Sequence, residues 1–290
     1  MSSWTGVAGK HVVMTGATSG IGLAAAEELA MRGAKLTIVA RDETKASALA
    51  HRIGAEVVVA DLASKNAVRR AADDILARHT TIDVVVNNAG VYLTNRRLTE
   101  DWIETTWAVN HLAPFLLTNL LLERLKQSAP ARIVTTASDA HVGAHIPFDD
   151  LDGTAAYAKR SLAGPGFARY GESKLANVLF TVELARRLEG TGVTANCFHP
   201  GLVATGITRE LNGPARLTMA IVNAFSRKPK RGADTLVWLV DSPEVNGVSG
   251  GYFVDRKQVA PSPEGRNPEI ARRLWEVSAE QTYATAAVAN

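Results

Sequence analysis

The sequence is poor in cysteine and has no long hydrophobic run, and both absences narrow what the protein can be. Cys197 is the only cysteine among 290 residues, so no disulfide can form within the chain, which favours a reducing, cytoplasmic compartment. No run approaches the ~20 apolar residues of a membrane span, because residues 112–125 are interrupted by Pro114, Asn119, Glu123 and Arg124. The first ten residues lack the apolar core of a signal peptide. We expect a soluble protein, with peripheral membrane contact left open.

Neither positive nor negative charge is concentrated in one part of the sequence. The 32 basic and 29 acidic residues are spread along the chain and leave a net charge of +3. The one basic cluster, residues 227–231, is short and flanked by proline and glycine, which is typical of a solvated loop rather than a nucleic-acid site. We therefore expect no nucleic-acid partner. A hydrophobic content of 46% is enough for a sizeable core.

A short apolar run, residues 11–15, leads into a glycine-rich turn and then a helical pattern. Glycines let a backbone turn tightly and approach phosphates, and a helix N-terminus supplies N–H groups and partial positive charge. The spacing is Gly-x-x-x-Gly-x-Gly, and a plain turn is the alternative, but a strand before it and a helix after it favour binding of a dinucleotide pyrophosphate. The candidate binding residues are Gly16, Ser19, Gly20, Ile21 and Gly22.

The second apolar run ends at Ala40-Arg41-Asp42. An acid at the end of this strand binds the ribose 2′-hydroxyl of NAD, whereas an arginine accommodates the 2′-phosphate of NADP. Arg41 therefore favours NADP(H) over NAD(H). A shift of one residue in register would place Asp42 near the ribose and reverse this preference.

Strands and helices alternate through the rest of the chain, which predicts a parallel sheet with right-handed crossovers. We expect an α/β fold, a three-layer αβα Rossmann-type doubly wound sheet of about seven parallel strands, formed by residues 1–290 as a single domain. Ligands in such sheets bind beyond the carboxyl ends of the strands. The residues predicted at those ends, besides Gly16 and Arg41, are Asp61, Leu62, Asn87, Asn88, Ala89, Gly90, Ser138, Pro200 and Gly201.

Tyr170 and Lys174 lie four residues apart at the start of an apolar-periodic helix, so their side chains share one face. A phenol ordinarily ionises near pH ~10, and a neighbouring ammonium favours the phenolate. The pair therefore predicts a tyrosine acid/base with a lowered pKa, although a single Tyr-x-x-x-Lys also occurs by chance.

Two long connections, residues 139–169 and 202–228, are predicted to lie on the substrate side, since loops of this length often line active sites. The second is rich in apolar residues, which indicates an apolar substrate or a contact with another subunit. His141 and His145 have no matching Cys or carboxylate cluster, so no metal site is expected. Cys197 and His199 are predicted to be core residues.

With these motifs in place, the sequence resembles the short-chain dehydrogenase/reductase family over nearly its whole length. The motifs are Thr15-Gly16-x-x-x-Gly20-x-Gly22, Asp61, Asn87-Asn88-Ala89-Gly90, Asn110, Ser138, Tyr170-x-x-x-Lys174, and Pro200-Gly201 with Thr205. Strings such as Val109-Asn110-His111-Leu112 are similar to the retinol-dehydrogenase-like branch, which mostly uses NADP(H).

The resemblance implies a role for each motif. Tyr170 is the acid/base, Lys174 lowers its pKa and binds the nicotinamide ribose, and Ser138 binds the substrate oxygen. Asn110 holds a water in a proton relay. Asp61 and Asn87 contact the adenosine half, and Pro200, Gly201, Val203 and Thr205 hold the nicotinamide end.

The expected activity is hydride transfer between NADP(H) and a lipophilic aldehyde, ketone or alcohol. Polyketide or steroid carbonyls remain open as substrates, and so does a homo-oligomer. The alternative is a non-catalytic protein that senses NADPH on the same fold. One departure from the family is the 32 residues from Ser138 to Tyr170, where about a dozen are common, and residues 157–167 look like extra material.

Overall fold

A computed structural model describes residues 4–159, 164–201 and 229–282. Its centre is one sheet with the strand order β3-β2-β1-β4-β5-β6-β7-β8. The first seven strands run parallel, and β8 pairs antiparallel with β7. The strands are β1 His11–Thr15, β2 Lys35–Ala40, β3 Glu56–Val59, β4 Val84–Asn87, β5 Ala131–Thr136, β6 Val193–His199, β7 Tyr252–Val254 and β8 Lys257–Val259.

Helices cover both faces of this sheet. On one face, α1 and α8 pack against β1, β2 and β4, and on the other, α3, α5 and α7 pack against the same strands and β5. The central strands are therefore continuous apolar runs instead of alternating ones. The helices are α1 Gly20–Met31, α2 Glu43–Ile53, α3 Lys65–Arg78, α4 Thr105–Trp107, α5 Ala113–Gln127, α6 Thr154–Ala158, α7 Phe167–Arg187, α8 Pro229–Asp241 and α9 Pro268–Thr282.

The strand order reverses direction between β1 and β4, and the crossovers place the carboxyl ends of the parallel strands along one edge. The predicted αβα doubly wound fold is confirmed. The expectation of about seven strands missed β8, a three-residue strand whose side chains are all exposed. Such a strand carries no alternation of apolar and polar residues that a sequence pattern could detect.

The segment around Asn110 differs most from its predicted form. The sequence pattern predicts one helix from residue 100 to 126, but the helix begins at Thr105 and contains a π-helical segment, Ala108–Leu112, between α4 and α5. The backbone N–H of Ala113 donates to the carbonyl of Ala108, five residues back. Pro114 follows this segment directly and has no N–H to donate to the preceding helical turn, so the regular i→i−4 pattern is interrupted there.

The connection of residues 139–169 is held by side chains on both sides. Ile146, Phe148 and Leu151 pack into a cluster with Trp107 and helices α7 and α9. Arg96 donates to the carbonyl and the carboxylate of Asp152. The second predicted loop, residues 202–228, lies outside the described residues, as do the first two residues of the basic cluster 227–231. Within the described ranges, no helix has the length and apolar content required to cross a bilayer.

Candidate active site

The glycine-rich turn joins β1 to α1 at the sheet's carboxyl edge. Gly16 and Gly20 have φ values of +68° and +57°, in the left-handed region that favours glycine. A Cβ on Gly22 would lie 2.0 Å from the Gly16 carbonyl oxygen, so the turn closes only with glycine there. The Ser19 side chain caps none of the first N–H groups of α1, and no acid lies in its first turn. This helix start therefore suits an anionic group such as a pyrophosphate.

Thr15 and Asn88 fasten this turn to the end of β4. The Thr15 hydroxyl accepts from the backbone N–H of Asn88 and of Ala89, both at 3.1 Å. The Asn88 amide donates to the Gly16 carbonyl at 3.0 Å and accepts from the Thr136 hydroxyl at 3.1 Å. The Asn88 side chain thus holds three strand ends together.

Asn87 does not lie where the resemblance implied. Its side chain is buried under α5 and donates to the Thr118 hydroxyl at 2.9 Å. A side chain at the end of a strand points to one face of the sheet or the other, and that of Asn87 points into the core. The expectation that this side chain contacts the adenosine half is wrong.

Arg41 and Asp42 follow β2 and have separate roles. The Asp42 carboxylate is the N-cap of α2 and accepts from the backbone N–H and the ammonium of Lys45. These bonds lower the pKa of Asp42. The Arg41 guanidinium is mostly exposed and lies 3.9 Å from the Asp61 carboxylate, which also accepts from Ala63 N–H. At this strand end the cation is available and Asp42 is engaged. Leu62, after Asp61, packs against the core.

Tyr170, Ser138 and Lys174 meet at the edge between β5 and α7. The Ser138 hydroxyl lies near enough to the Tyr170 phenol to favour its ionised form. The Lys174 ammonium lies 5.6 Å from the centre of the Tyr170 ring and donates to the Thr136 carbonyl at 3.0 Å. The sequence places these residues far apart, and the fold brings them together.

The pKa values of this pair differ from the sequence-based expectation. Burial raises the pKa of Tyr170 to about 12, and the interaction with Ser138 opposes part of that rise. Burial also lowers the pKa of Lys174 to about 8. The pKa of Tyr170 is therefore raised where the sequence predicted a lowered one, because burial outweighs the interaction with Ser138; an effect of Lys174 on the phenolate stays a prediction. Tyr170 is therefore protonated at neutral pH, as a proton donor must be.

Asn110 lies in the π segment and is completely buried. Its carbonyl oxygen accepts from Val91 N–H at 2.7 Å, and its amide donates to the Val91 carbonyl and the Ser173 hydroxyl. Both amide protons are therefore in use. A Cβ on Gly90 would lie 3.4 Å from the Asn110 oxygen and 3.5 Å from the Lys174 nitrogen, so this glycine separates the two side chains.

Behind Ser138, a polar cluster joins the ends of β5 and β6. His199 contacts the Asp139 carboxylate at 2.8 Å and accepts from Asp139 N–H at 3.2 Å. The Tyr252 hydroxyl donates to the same carboxylate at 3.3 Å. His199 is thus the satisfied structural histidine that the sequence indicated. It leads into the turn of Pro200 and Gly201, where Gly201 has a φ of +79°.

The remaining histidines and the cysteine belong to the scaffold. His141 is buried between the Ser138 carbonyl and Ser262 N–H, while the exposed His145 contacts Glu264. Across residues 4–159, 164–201 and 229–282, no group of three ligating side chains could hold a metal ion. Burial raises the pKa of the Cys197 thiol to about 12, so it is a core residue.

Two aromatic rings, those of Tyr92 and Phe167, lie beside the Tyr170 ring. The Tyr92 ring lies 5.7 Å from that of Tyr170 and 6.5 Å from that of Phe167, and the Tyr92 hydroxyl donates to the Pro165 carbonyl at 2.9 Å. Sequence reasoning did not select Tyr92, although its position two residues after Gly90 could have suggested it. Val203 and Thr205 lie outside the described residues.

Comparisons with known proteins show which family and which proteins this chain is similar to. A family model described as short chain dehydrogenase matches residues 10–148 and 159–215. Residues 149–158, which include the whole of α6, fall between the two matched parts. Retinol dehydrogenase 14 of Mus musculus is 42% identical over 290 residues, covering 93% of this chain and 85% of that protein.

Two solved structures show the same fold. A protein of unassigned function from Mycobacterium Paratuberculosis superposes with a TM-score of 0.77 at 32% identity, covering 97% of this chain and 98% of the other. A short chain dehydrogenase from Burkholderia cenocepacia J2315 in complex with NADP has a TM-score of 0.68 at 27% identity, covering 85% of this chain and 96% of the other.

Proposed function

This chain belongs to the short-chain dehydrogenase family, and from that premise we propose that it transfers a hydride between NADP(H) and the carbonyl or hydroxyl carbon of a lipophilic aldehyde, ketone or alcohol. The observation that carries the proposal is that the Tyr170 phenol and the Ser138 hydroxyl meet at the end of β5, with the Lys174 ammonium beside the same ring. Two hydroxyls at one strand end offer a carbonyl oxygen two donors at once.

Each side chain has a separate part in carbonyl reduction. When bound, the nicotinamide supplies the hydride. Tyr170, protonated at neutral pH, donates its proton to the substrate oxygen as negative charge develops there. Ser138 donates a hydrogen bond to the same oxygen. Lys174 is a cation below pH about 8 and stabilises the phenolate left after proton transfer. In the oxidation direction the same groups act in reverse.

The cofactor residues fit a phosphorylated dinucleotide. The uncapped start of α1 at Ser19, Gly20, Ile21 and Gly22 suits the pyrophosphate. The exposed Arg41 supports a 2′-phosphate, and Asp42, engaged as a helix cap, does not compete for a ribose hydroxyl. We also propose that Asp61, Leu62, Asn88, Ala89, Gly90, Pro200, Gly201, Val203 and Thr205 contact the cofactor, and that Asn110 takes part in the proton relay.

The substrate class follows from the rings beside the phenol. Tyr92 and Phe167 present aromatic surface next to Tyr170. Aromatic and aliphatic substrate groups gain from burial against such surface, whereas charged groups lose hydration there. This supports an apolar substituent on the carbonyl carbon.

The proposal is tested by following oxidation of NADPH, and separately of NADH, with aldehydes of increasing chain length and one charged aldehyde as the matched control. We expect turnover with NADPH that improves with chain length and is weakest for the charged compound. NADPH binding without turnover of any compound would favour the cofactor-sensing alternative. Failure to bind either dinucleotide would refute the proposal.

Two further proposals concern organisation and location. All eight described strands belong to one sheet, which supports a single domain. The lone buried Cys197 supports a reducing, cytoplasmic location. Limited proteolysis and cell fractionation test these two proposals; an early stable cleavage product or recovery in an oxidising compartment would refute them. A homo-oligomer stays a prediction.

A further inference from the structure

Tyr170 lies in the first turn of α7, where a helix is least secure. The N-cap of α7 is Gly166, which has a φ of +76° and no side chain to bond the first N–H groups, and no acid lies in the first turn. Helix starts without a cap fray, because their first N–H groups have no helical partner. The Tyr170 N–H donates to the Gly166 carbonyl at 3.0 Å, so any fraying there would move the phenol.

Arg169, the residue before Tyr170, is completely buried and anchors this first turn through its side chain. Its guanidinium donates to the Glu104 carboxylate at 2.8 Å, to the Glu172 carboxylate at 3.1 Å and to the Leu151 carbonyl. It also lies 4.6 Å from the centre of the Trp107 ring. Arg169 therefore fixes the first turn of α7 to two other parts of the chain, the start of α4 and the connection at Leu151.

Glu104 joins this turn to the helix that bears Asn110. The Glu104 carboxylate is completely buried and accepts from the backbone N–H of Thr106 at 2.8 Å and of Trp107 at 2.9 Å, which caps α4. Asn110 lies six residues later in the same helical rod. A single carboxylate thus sets both helix starts, one leading to Asn110 and the other to Tyr170.

Tyr157 also contacts Glu104 and the start of α7. Its hydroxyl donates to Glu104 at 2.9 Å, and its ring lies so close to Gly166 that a Cβ there would be 2.8 Å from the ring. Tyr157 belongs to residues 149–158, which the family model does not match. The extra material between Ser138 and Tyr170 therefore contributes directly to the start of α7.

We propose that Glu104, Arg169 and Tyr157 are positioning residues that hold the first turn of α7 so that the Tyr170 phenol stays against Ser138. The inference rests on the proposed function for its kinetic test. The role of these residues differs from that of a purely structural ion pair, because a buried ion pair contributes little net stability when compared with apolar residues. We therefore expect the replacement of these residues to slow the chemical step.

The test compares the purified full chain with the variants E104Q/R169M, R169K and Y157F. The double variant removes both charges of the Glu104–Arg169 pair; Glu172, whose pKa burial already raises, loses its guanidinium partner and is expected to take up a proton, so the fold is retained without an unpaired buried charge. We expect its kcat to fall about 100-fold, since a displacement of ~1 Å at a reacting group costs that much, while the Kd for NADPH stays within about twofold. R169K keeps the charge and restores part of kcat, and Y157F loses about 3- to 10-fold, as expected for one hydrogen bond.

Arg132 offers a matched control. It is also a buried arginine over a tryptophan, 4.3 Å from the Trp4 ring, and it donates to the carbonyls of Leu239 and Val240. It is the second residue of β5, six residues or about 20 Å from Ser138. We expect R132M to lower Tm with kcat unchanged. A double variant with wild-type kcat, or a kcat loss in R132M of equal size, would overturn the inference.

Hydrogen exchange separates this inference from the proposed function. In E104Q/R169M the amide of Tyr170 is expected to exchange at least about tenfold faster, while that of Asn177, two turns further along α7, stays unchanged. If the wild-type protein reduces no compound tested, the proposed function fails, yet unchanged exchange at Tyr170 would still overturn the positioning role and faster exchange would support it.

Discussion

Lys174 is expected to lower the stability of the fold that it serves. Burial lowers its pKa from 10.5 to about 8, so below pH 8 the folded protein holds a charged ammonium in a site that favours the neutral amine. The unfolded chain binds this proton more tightly, and the penalty at neutral pH is roughly 3 kcal/mol. Lys174→Met removes the penalty and one hydrogen bond to the Thr136 carbonyl, which Asn177 still satisfies at 3.2 Å. We expect the free energy of unfolding to rise by about 2 kcal/mol at pH ~7 while turnover is lost.

The sign of this effect depends on pH in a defined way. Between pH about 8 and 10.5 the folded protein has already released the proton and the unfolded chain has not, so the wild type gains stability as pH rises. The advantage of Lys174→Met should fall below about 1 kcal/mol by pH ~10. Urea denaturation at both pH values measures it, with Lys126→Met, on the exposed Glu123 pair, as a control expected to change stability by less than ~0.5 kcal/mol. A variant less stable than wild type at pH ~7, or a difference independent of pH, would refute the reasoning.

Three other changes test separate parts of the structure. Tyr170→Phe should abolish turnover with the Kd for NADPH nearly unchanged by fluorescence titration, and retention of more than a few per cent of activity would exclude Tyr170 as the acid. Arg41→Ala should raise the KM for NADPH at least about tenfold and leave that for NADH within about twofold; equal changes would contradict NADP(H) preference. Trp102, with a φ of +59° and a ring 82% exposed, should gain up to about 1 kcal/mol of stability on replacement by glycine, whereas Trp102→Ala keeps the strained Cβ and should gain nothing in urea denaturation.

The sheet and its ligand edge were predictable because each depends on local patterns. Continuous apolar runs indicated buried parallel strands, and the glycine-rich turn at Gly16 indicated a ligand site at the end of the first of them. The same topology explains the proximity of Ser138 to Tyr170, because Ser138 lies near the end of β5 and Tyr170 lies in a helix that follows this strand. The positions of the polar residues at strand ends could be predicted without knowledge of side-chain packing.

The parts that sequence reasoning missed depend on contacts between distant residues. Glu104 and Arg169 are 65 positions apart, and nothing in either neighbourhood shows that they pair. The sign of the pKa change at Tyr170 required knowing the degree of burial. Asn87 required knowing which face of the sheet its side chain takes. The strand Lys257–Val259 is defined only by its partner β7.

The π segment at Asn110 makes the length of this helix as important as its composition. Each residue of an α-helix turns the next by about 100°, so the extra residue that the segment accommodates sets the angle between α4 on one side and α5 on the other. Deleting one residue from Ala108–Leu112 would allow i→i−4 hydrogen bonds through this segment, except at Pro114, which has no N–H. That same deletion would rotate Glu104 about a quarter turn or more relative to α5 and separate it from Arg169. The π segment therefore sets the rotational phase between the two helix starts. We expect a regular helix in its place to lower the activity of the enzyme.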